Sequence, residues 1–375
     1  MNAESDLICE LCVSGSSAEA GGRFAPACLA VALLLLALPL PLAAQGFAGL
    51  GTSAEGFAIP ERGRVLSFPA DHGSHPEYRI EWWYLTATLT GADGQDYGIQ
   101  WTLFRSALAP REAEGWDSPQ VWMGHAGLTT ATQHFAAERF ARGGIGQAGV
   151  STTPFRAFID DWHMTSRALP DEDEFDRLDV HARGSDFHYT LEFSAQGPLV
   201  LQGDKGYSVK SPEGQASYYY SQPFYTVTGM LHLPDGPVEV TGQGWLDREW
   251  SSQPLADDQR GWDWVSLSFD DGHRMMGFQL RGAEVFTAGT WITPEGEPTP
   301  LPDGALLFTP LEHTRIGQRD VPTAWQIDWP EGGLSVMTEP LNPQAWMDLS
   351  ISYWEGPLRF SGTHAGRGYL EMTGY

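Results

Sequence analysis

The sequence predicts an all-β protein built from two related antiparallel units, each a barrel or strongly curved sandwich, within a chain of 375 residues. Three observations predict it. Short alternating segments rich in Trp, Tyr, Phe, Val and Thr recur from Ala58 onward, among them EWWYLTATL, FHYTLEF, WVSLSF and GYLEMTGY. Such alternation puts successive side chains on opposite faces of a strand. Gly, Pro and Asp turns separate the segments, in keeping with 43 glycines and 26 prolines. The third observation is an internal repeat. WWYLTATLTGADGQDYGIQWTLFR from Trp82 rhymes with WDWVSLSFDDGHRMMGFQLR from Trp262. Trp82, Tyr84, Thr86 and Thr88 fall opposite Trp262, Trp264, Ser266 and Ser268, and each hairpin returns through a Gly-x-Gln, Gly98–Gln100 and Gly277–Gln279. The ends of the halves match as well: GPVEVTGQGWLDREW from Gly236 parallels GPLRFSGTHAGRGYLEMTGY from Gly356, with a four-residue insertion in the second, which makes Glu371 the counterpart of Asp247.

The elements follow in order along the chain. Residues 1–44 read as an export signal with an over-long start. Arg23 precedes the apolar run FAPACLAVALLLLALPLPLAA, which ends in small residues at Ala43–Ala44, the pattern of a cleaved signal peptide. A single membrane anchor is the alternative, because the run approaches spanning length. Residues 45–60 form a linker, 61–250 a longer first β domain with inserted loops, and 251–375 a second. SSQPLADDQRG at the junction has linker composition. The best helical candidate is ATQHFAAERFARG, residues 131–143. Cys9, Cys12 and Cys28 all lie in or before the apolar run, so the mature part has no cysteine and relies on packing. The expected location is therefore periplasmic or extracellular.

Composition narrows the partners. The chain is 42% hydrophobic and 12% aromatic, and its net charge of −26 comes from 48 acids against 22 bases. That balance argues against nucleic acid and against an anionic membrane surface as the main partner. The expected partner is a hydrophobic small molecule or a lipid, with association to the cell envelope as an extension of the export reading. Cavities lined by closed β-sheets are the natural place for it.

Chemistry concentrates in GQGWLDREW, residues 242–250. On a strand, Trp245, Asp247 and Glu249 share one face and Leu246, Arg248 and Trp250 the other. A carboxyl among aromatic rings stays protonated to higher pH and can donate that proton, while indole and phenol faces steady a developing cation. The alternative is a strand acid paired with Arg248 at a barrel rim. In SYYYSQP, Tyr218 and Tyr220 project to one face and Tyr219 to the other. In DHGSHPEYRIEWWY, His72 and His75 with Asp71 or Glu81 have no standard metal spacing. Glu81 shares a strand face with Trp83 and Leu85, as a ligand-lining acid or as a buried acid with an arginine partner. No cofactor or metal is implied by any of these patterns, and no Gly-x-Ser-x-Gly, P-loop, HExxH or dinucleotide fingerprint occurs.

Six blocks in one order, DHGSHPEYRIEWWYLTATL, WMGHAGLTT, SYYYSQPFYTVTG, GQGWLDREW, GWDWVSLSFDDG and YWEGPLRFSGTHAGRGYLEMTGY, resemble the lipocalin-like proteins related to carotenoid 1,2-hydratase, many of them called AttH-like or secreted hydrolases. The resemblance covers nearly all of the chain after the apolar run. It implies two lipocalin-like domains and a pocket for a long unsaturated, isoprenoid or polyene-like substrate, hydrated by acid without a cofactor. The hydratases' key acid falls on Asp247, their tyrosine two residues earlier on Trp245, and their upstream histidine and tryptophan near Tyr218 and Tyr220. The resemblance thus implies Asp247 as the catalytic acid of a hydro-lyase-type reaction, with Trp245, Tyr218 and Tyr220 lining the substrate site. Trp83 and Glu81, on the aromatic strand after the histidine loop, are expected to line it as well. A non-catalytic lipid carrier and a secreted hydrolase are the alternatives.

Overall fold

Alternation of large apolar side chains over segments of seven to eighteen residues leaves little choice but extended structure, and the computed structural model, which describes residues 54–375, is made of β-strands and short turns. The described residues belong to one compact unit. The predicted export signal lies outside the described residues.

Strands between Ile80 and Ser251 form one thirteen-stranded antiparallel sheet, and strands between Gly261 and Met372 form a ten-stranded one. The first curls into a nearly closed barrel and the second into a half-barrel. In the first, an opening strand (Ile80–Gly91) pairs with its hairpin partner (Asp96–Ala107) and with a closing strand (Gly236–Ser251). A long tyrosine strand (Ala216–Leu233) lies on the far side of the closing strand. In the second sheet, Gly261–Phe269 pairs in the same way with Gly366–Met372.

The repeat survives in register at its key positions. Tyr84 stands opposite Asp247, and its match Trp264 stands opposite Glu371, the match of Asp247. Elsewhere the match is only textual. Gly98 faces Thr88, whereas Gly277 faces Val265 rather than Ser268. GPVEVTG belongs to the closing strand itself, whereas GPLRFSG forms a separate strand (Tyr353–Gly362) antiparallel to Gly366–Met372. The expected helix at 131–143 is instead a strand (His134–Arg142) hydrogen-bonded along Gln120–Thr129, because an open sheet edge satisfies its backbone without a helix.

The barrel lumen is packed solid. Trp83, Trp101, Trp162, Trp250, Leu85, Tyr189 and Tyr220 fill it with no exposure above a trace, and each fully buried side chain of this kind contributes about 2 kcal/mol or more. The lumen therefore has no room for the ligand that closure suggested, and the usable space lies between the sheets. At one end they touch. Asp96 in the first sheet pairs with Arg359 and Arg367 in the second, and a Cβ on Gly98 would stand 2.4 Å from Pro357. Towards the Ile80 end of the strands, the inter-sheet space opens into a cavity of about 310 Å³.

Candidate active site

Antiparallel pairing places directly opposed residues on the same face. Opposite Asp247 lie Tyr84 and Ser221, and opposite Glu249 lie Trp82 and Tyr219. That face of the first sheet forms one wall of the cavity with Trp82, Tyr84, Tyr219, Asp247 and Glu249, and the second sheet supplies Trp262, Trp264, Phe278 and Glu371. Both members of the repeated acid pair, Asp247 and Glu371, thus open on one space. Tyr84 and Trp264 meet edge to face across it, with ring centroids 5.3 Å apart. Phe140, half exposed, stands at the rim.

Asp247 is 3% exposed and accepts three hydrogen bonds. Tyr219 Oη donates to Oδ2 at 2.7 Å, Trp245 Nε1 donates to Oδ1 at 2.7 Å, and Ser221 Oγ donates to Oδ1. Trp264 Nε1 in turn donates to Tyr219 Oη at 3.1 Å, tying the second sheet to the acid. Burial pushes the Asp247 carboxyl up from 3.8 to about 7, against the pull of those three donors. Arg248, the salt-bridge partner of the alternative reading, points to the other face, where it pairs with Glu81, and takes no part. Glu371 receives Trp262 Nε1 at 2.8 Å, and burial together with Asp247 and Glu249 lifts it to about 8. Glu355, buried and hydrogen-bonded by Tyr84 Oη, is also pushed well up by burial and by Glu371. Glu249 has a counter-charge, Lys210 Nζ at 2.7 Å, whose ammonium also lies over the Phe278 and Tyr219 rings. The walls therefore hold proton-bearing acids among aromatic faces, a setting suited to donating a proton and hosting positive charge.

Of the residues expected in the site, the structure brings Asp247 and Trp245 together and sends the other four elsewhere. Tyr218 and Tyr220 oppose Trp250 and Arg248, so they turn into the barrel. Tyr220 Oη bonds His72 Nδ1 at 2.7 Å, and Tyr218 Oη donates to the Glu61 carbonyl at 3.0 Å. Trp83 opposes Arg248 and carries its guanidinium 3.9 Å over the indole ring. Glu81 is paired with both Arg105 and Arg248, which hold its carboxyl far below the ordinary range despite full burial. These four are core residues, because the register puts them on the lumen face. The residue the tyrosine run contributes is Tyr219, the middle one. Ser221, Trp82, Tyr84 and Glu371 were also missed, although the repeat that aligned Asp247 with Glu371 was a signal for the last. The histidine loop is structural too. His75 bonds Asp71 and Glu81, and His72 bonds Asp173 and Tyr220. Among the described residues no cluster of three or more His, Cys, Asp or Glu side chains is arranged to hold a metal ion.

The family model described as AttH-like matches residues 59–375. The chain belongs to the AttH-like family. This AttH-like protein is similar to the crystal structure of an AttH protein from Nitrosomonas europaea, with 33% identity and a TM-score of 0.76 over 85% of this chain and 99% of that one. Its fold is also that of kievitone hydratase from Nectria haematococca, at 14% identity and a TM-score of 0.61 over 85% of this chain and 98% of the other. CghA solved with Sch210972 shares it at 10% identity and a TM-score of 0.51, over 86% and 97%. No curated protein sequence matches the chain.

Proposed function

We propose that this AttH-like protein binds a hydrophobic, unsaturated molecule between its two sheets and adds water across a carbon–carbon double bond, with Asp247 as the acid. The Asp247 proton passes to one alkene carbon and the π pair becomes the new C–H bond. The other carbon becomes cationic beside the faces of Trp82, Tyr84 and Trp264. A water oxygen bonds to that carbon and its surplus proton returns to Asp247, restoring the acid. The carboxylate formed in between is received by Tyr219, Ser221 and Trp245, donors already in place and needing no reorganisation.

The observation that carries the reading is the Asp247 carboxyl itself: buried, aimed into an aromatic cavity, and poised near neutrality. The fold is shared with a protein named as a hydratase, a fold-level analogy that adds plausibility and no residue roles. The test is incubation in D2O with a panel of terminally unsaturated isoprenoids. The parent protein should form a product heavier by one water with a single carbon-bound deuterium. Asp247→Asn should lose on the order of a hundredfold or more in rate. Turnover by Asp247→Asn at the parent rate sinks the assignment.

A carrier function is the second reading, favoured by aromatic walls whose contacts do not depend on Asp247. It predicts stoichiometric lipid in native mass spectra, unchanged in Asp247→Asn. The hydrolase alternative has less support. Ser106 and His125 both line the cavity, but His125 lies opposite Thr102, four residues along the strand from Ser106, about 13 Å away and out of reach of a nucleophile–base bond. Export belongs to the same proposal, and N-terminal sequencing of mature protein from a periplasmic fraction tests it.

A further inference from the structure

We propose that the ligand has a second, polar end, a hydroxyl, phenol or carbonyl, that hydrogen-bonds Nε2 of His125 while its unsaturated end lies at Asp247. This rests on the ligand reading above and narrows the substrate to elongated molecules with one uncharged polar terminus.

The argument begins with register. Asp247 opposes Tyr84, Tyr84 opposes Thr102, and Thr102 opposes His125. Direct opposition keeps all four on the cavity face, in one row across four adjacent strands. Three inter-strand steps of about 4.8 Å separate the row's ends by roughly 14 Å. Asp247 and His125 both line the cavity, with Tyr84 between them. A compact ligand reaches one end of this row. A long one spans both.

The His125 ring is held ready. Its Nδ1 lies 2.9 Å from Tyr353 Oη, its face stacks on the Tyr353 ring, and Phe104 meets it edge on. The side chain is wholly buried, yet Nε2 has no hydrogen-bond partner. Such an orphan costs about 1–3 kcal/mol, so it marks a place where a partner is expected. Burial drives the His125 pKa down to about 3, so the ring stays neutral. An anionic head would find no counter-charge there, because the one Lys or Arg lining the cavity among the described residues, Lys210, is paired with Glu249. A hydroxyl is matched by either tautomer, and a carbonyl by the one that carries its proton on Nε2. Apart from Ser106, the remainder of this lobe is apolar, with Val121, Met123, Phe140 and Ile351.

The test titrates the parent protein with the isoprenoid alcohol farnesol and its hydrocarbon counterpart farnesene, following quenching of the cavity tryptophans. The alcohol should bind about tenfold more tightly, the worth of one hydrogen bond to an otherwise unpartnered buried group. His125→Phe should erase that preference and keep the hydrocarbon affinity. A second readout needs no variant: in ¹⁵N spectra of the parent, the alcohol should shift the His125 Nε2 resonance and the hydrocarbon should not. If His125→Phe fails to fold, that spectrum decides. Equal affinities in the parent, a preference that survives in His125→Phe, or an unmoved Nε2 resonance overturns the inference and leaves the cavity's ligand reading standing. Binding of neither probe overturns both.

Discussion

Replacing Asp247 by Asn changes one proton-binding group and almost nothing in shape, so its effect on stability reads the acid's environment directly. In the folded protein the carboxyl titrates at about 7, against an ordinary 3.8. Between these values the folded state binds the proton and the unfolded state has lost it. The contribution of Asp247 to stability therefore falls as pH rises from about 4 to about 7 and is level above that. The full penalty is about 3 pK units at 1.36 kcal/mol each, roughly 4 kcal/mol, of which less than half is already felt at pH 5. Asn has no proton to lose and keeps acceptors for Ser221 and Trp245, forfeiting at most about 1 kcal/mol from the Tyr219 bond. That loss is the same at every pH. The stability difference between variant and parent should therefore move in the variant's favour by roughly 2–3 kcal/mol from pH 5 to pH 8. Urea unfolding of both proteins at the two pH values measures it. A movement below about 1 kcal/mol would refute the reasoning, because Asp247 would then have lost most of its proton well below neutrality.

Tyr219→Phe should remove a donor to the Asp247 carboxylate, lower turnover about tenfold and move the alkaline limb of the pH–rate profile upward. Tyr220→Phe should leave turnover alone and cost about 1–3 kcal/mol in stability, since it strands His72 Nδ1; pH–rate profiles and urea melts separate the two. Trp83→Ala should cost about 3–5 kcal/mol in unfolding experiments while leaving probe affinity unchanged, because the ring packs in the lumen under Arg248. Lys210→Met should cost about 3–5 kcal/mol by leaving Glu249 buried without a counter-charge. A double-mutant cycle with Glu249→Gln should recover most of that loss.

Much of the architecture was legible in the chain. Period-two alternation with Gly and Pro turns is enough to specify extended structure. The repeat was readable because Tyr84 and Trp264, and Asp247 and Glu371, occupy equivalent register positions in the two sheets. Asp247 stood out as an acid among indoles, and strand alternation put Trp245 and Glu249 on its face. The strand at His134–Arg142 was harder to read, since its Ala-rich spacing also suits a helix and only the neighbouring strand's free edge decided the matter.

The choice of face was left to tertiary structure. Alternation identifies the inward side when one face meets water and the other the core. Here residues 244–251 and 216–225 are buried without interruption, one face against the filled lumen and the other against the second sheet. With both faces apolar, nothing local said whether Tyr219 or its two neighbours would meet Asp247, or whether Glu81 and Trp83 would sit with it. The cross-strand register set that pairing, and the docking of the second sheet turned the face so chosen into a cavity wall. By itself the sequence determined the strands, their duplication and an acid in an aromatic setting. The partners of that acid, its shifted pKa and the distance to His125 follow from contacts between residues far apart in the chain.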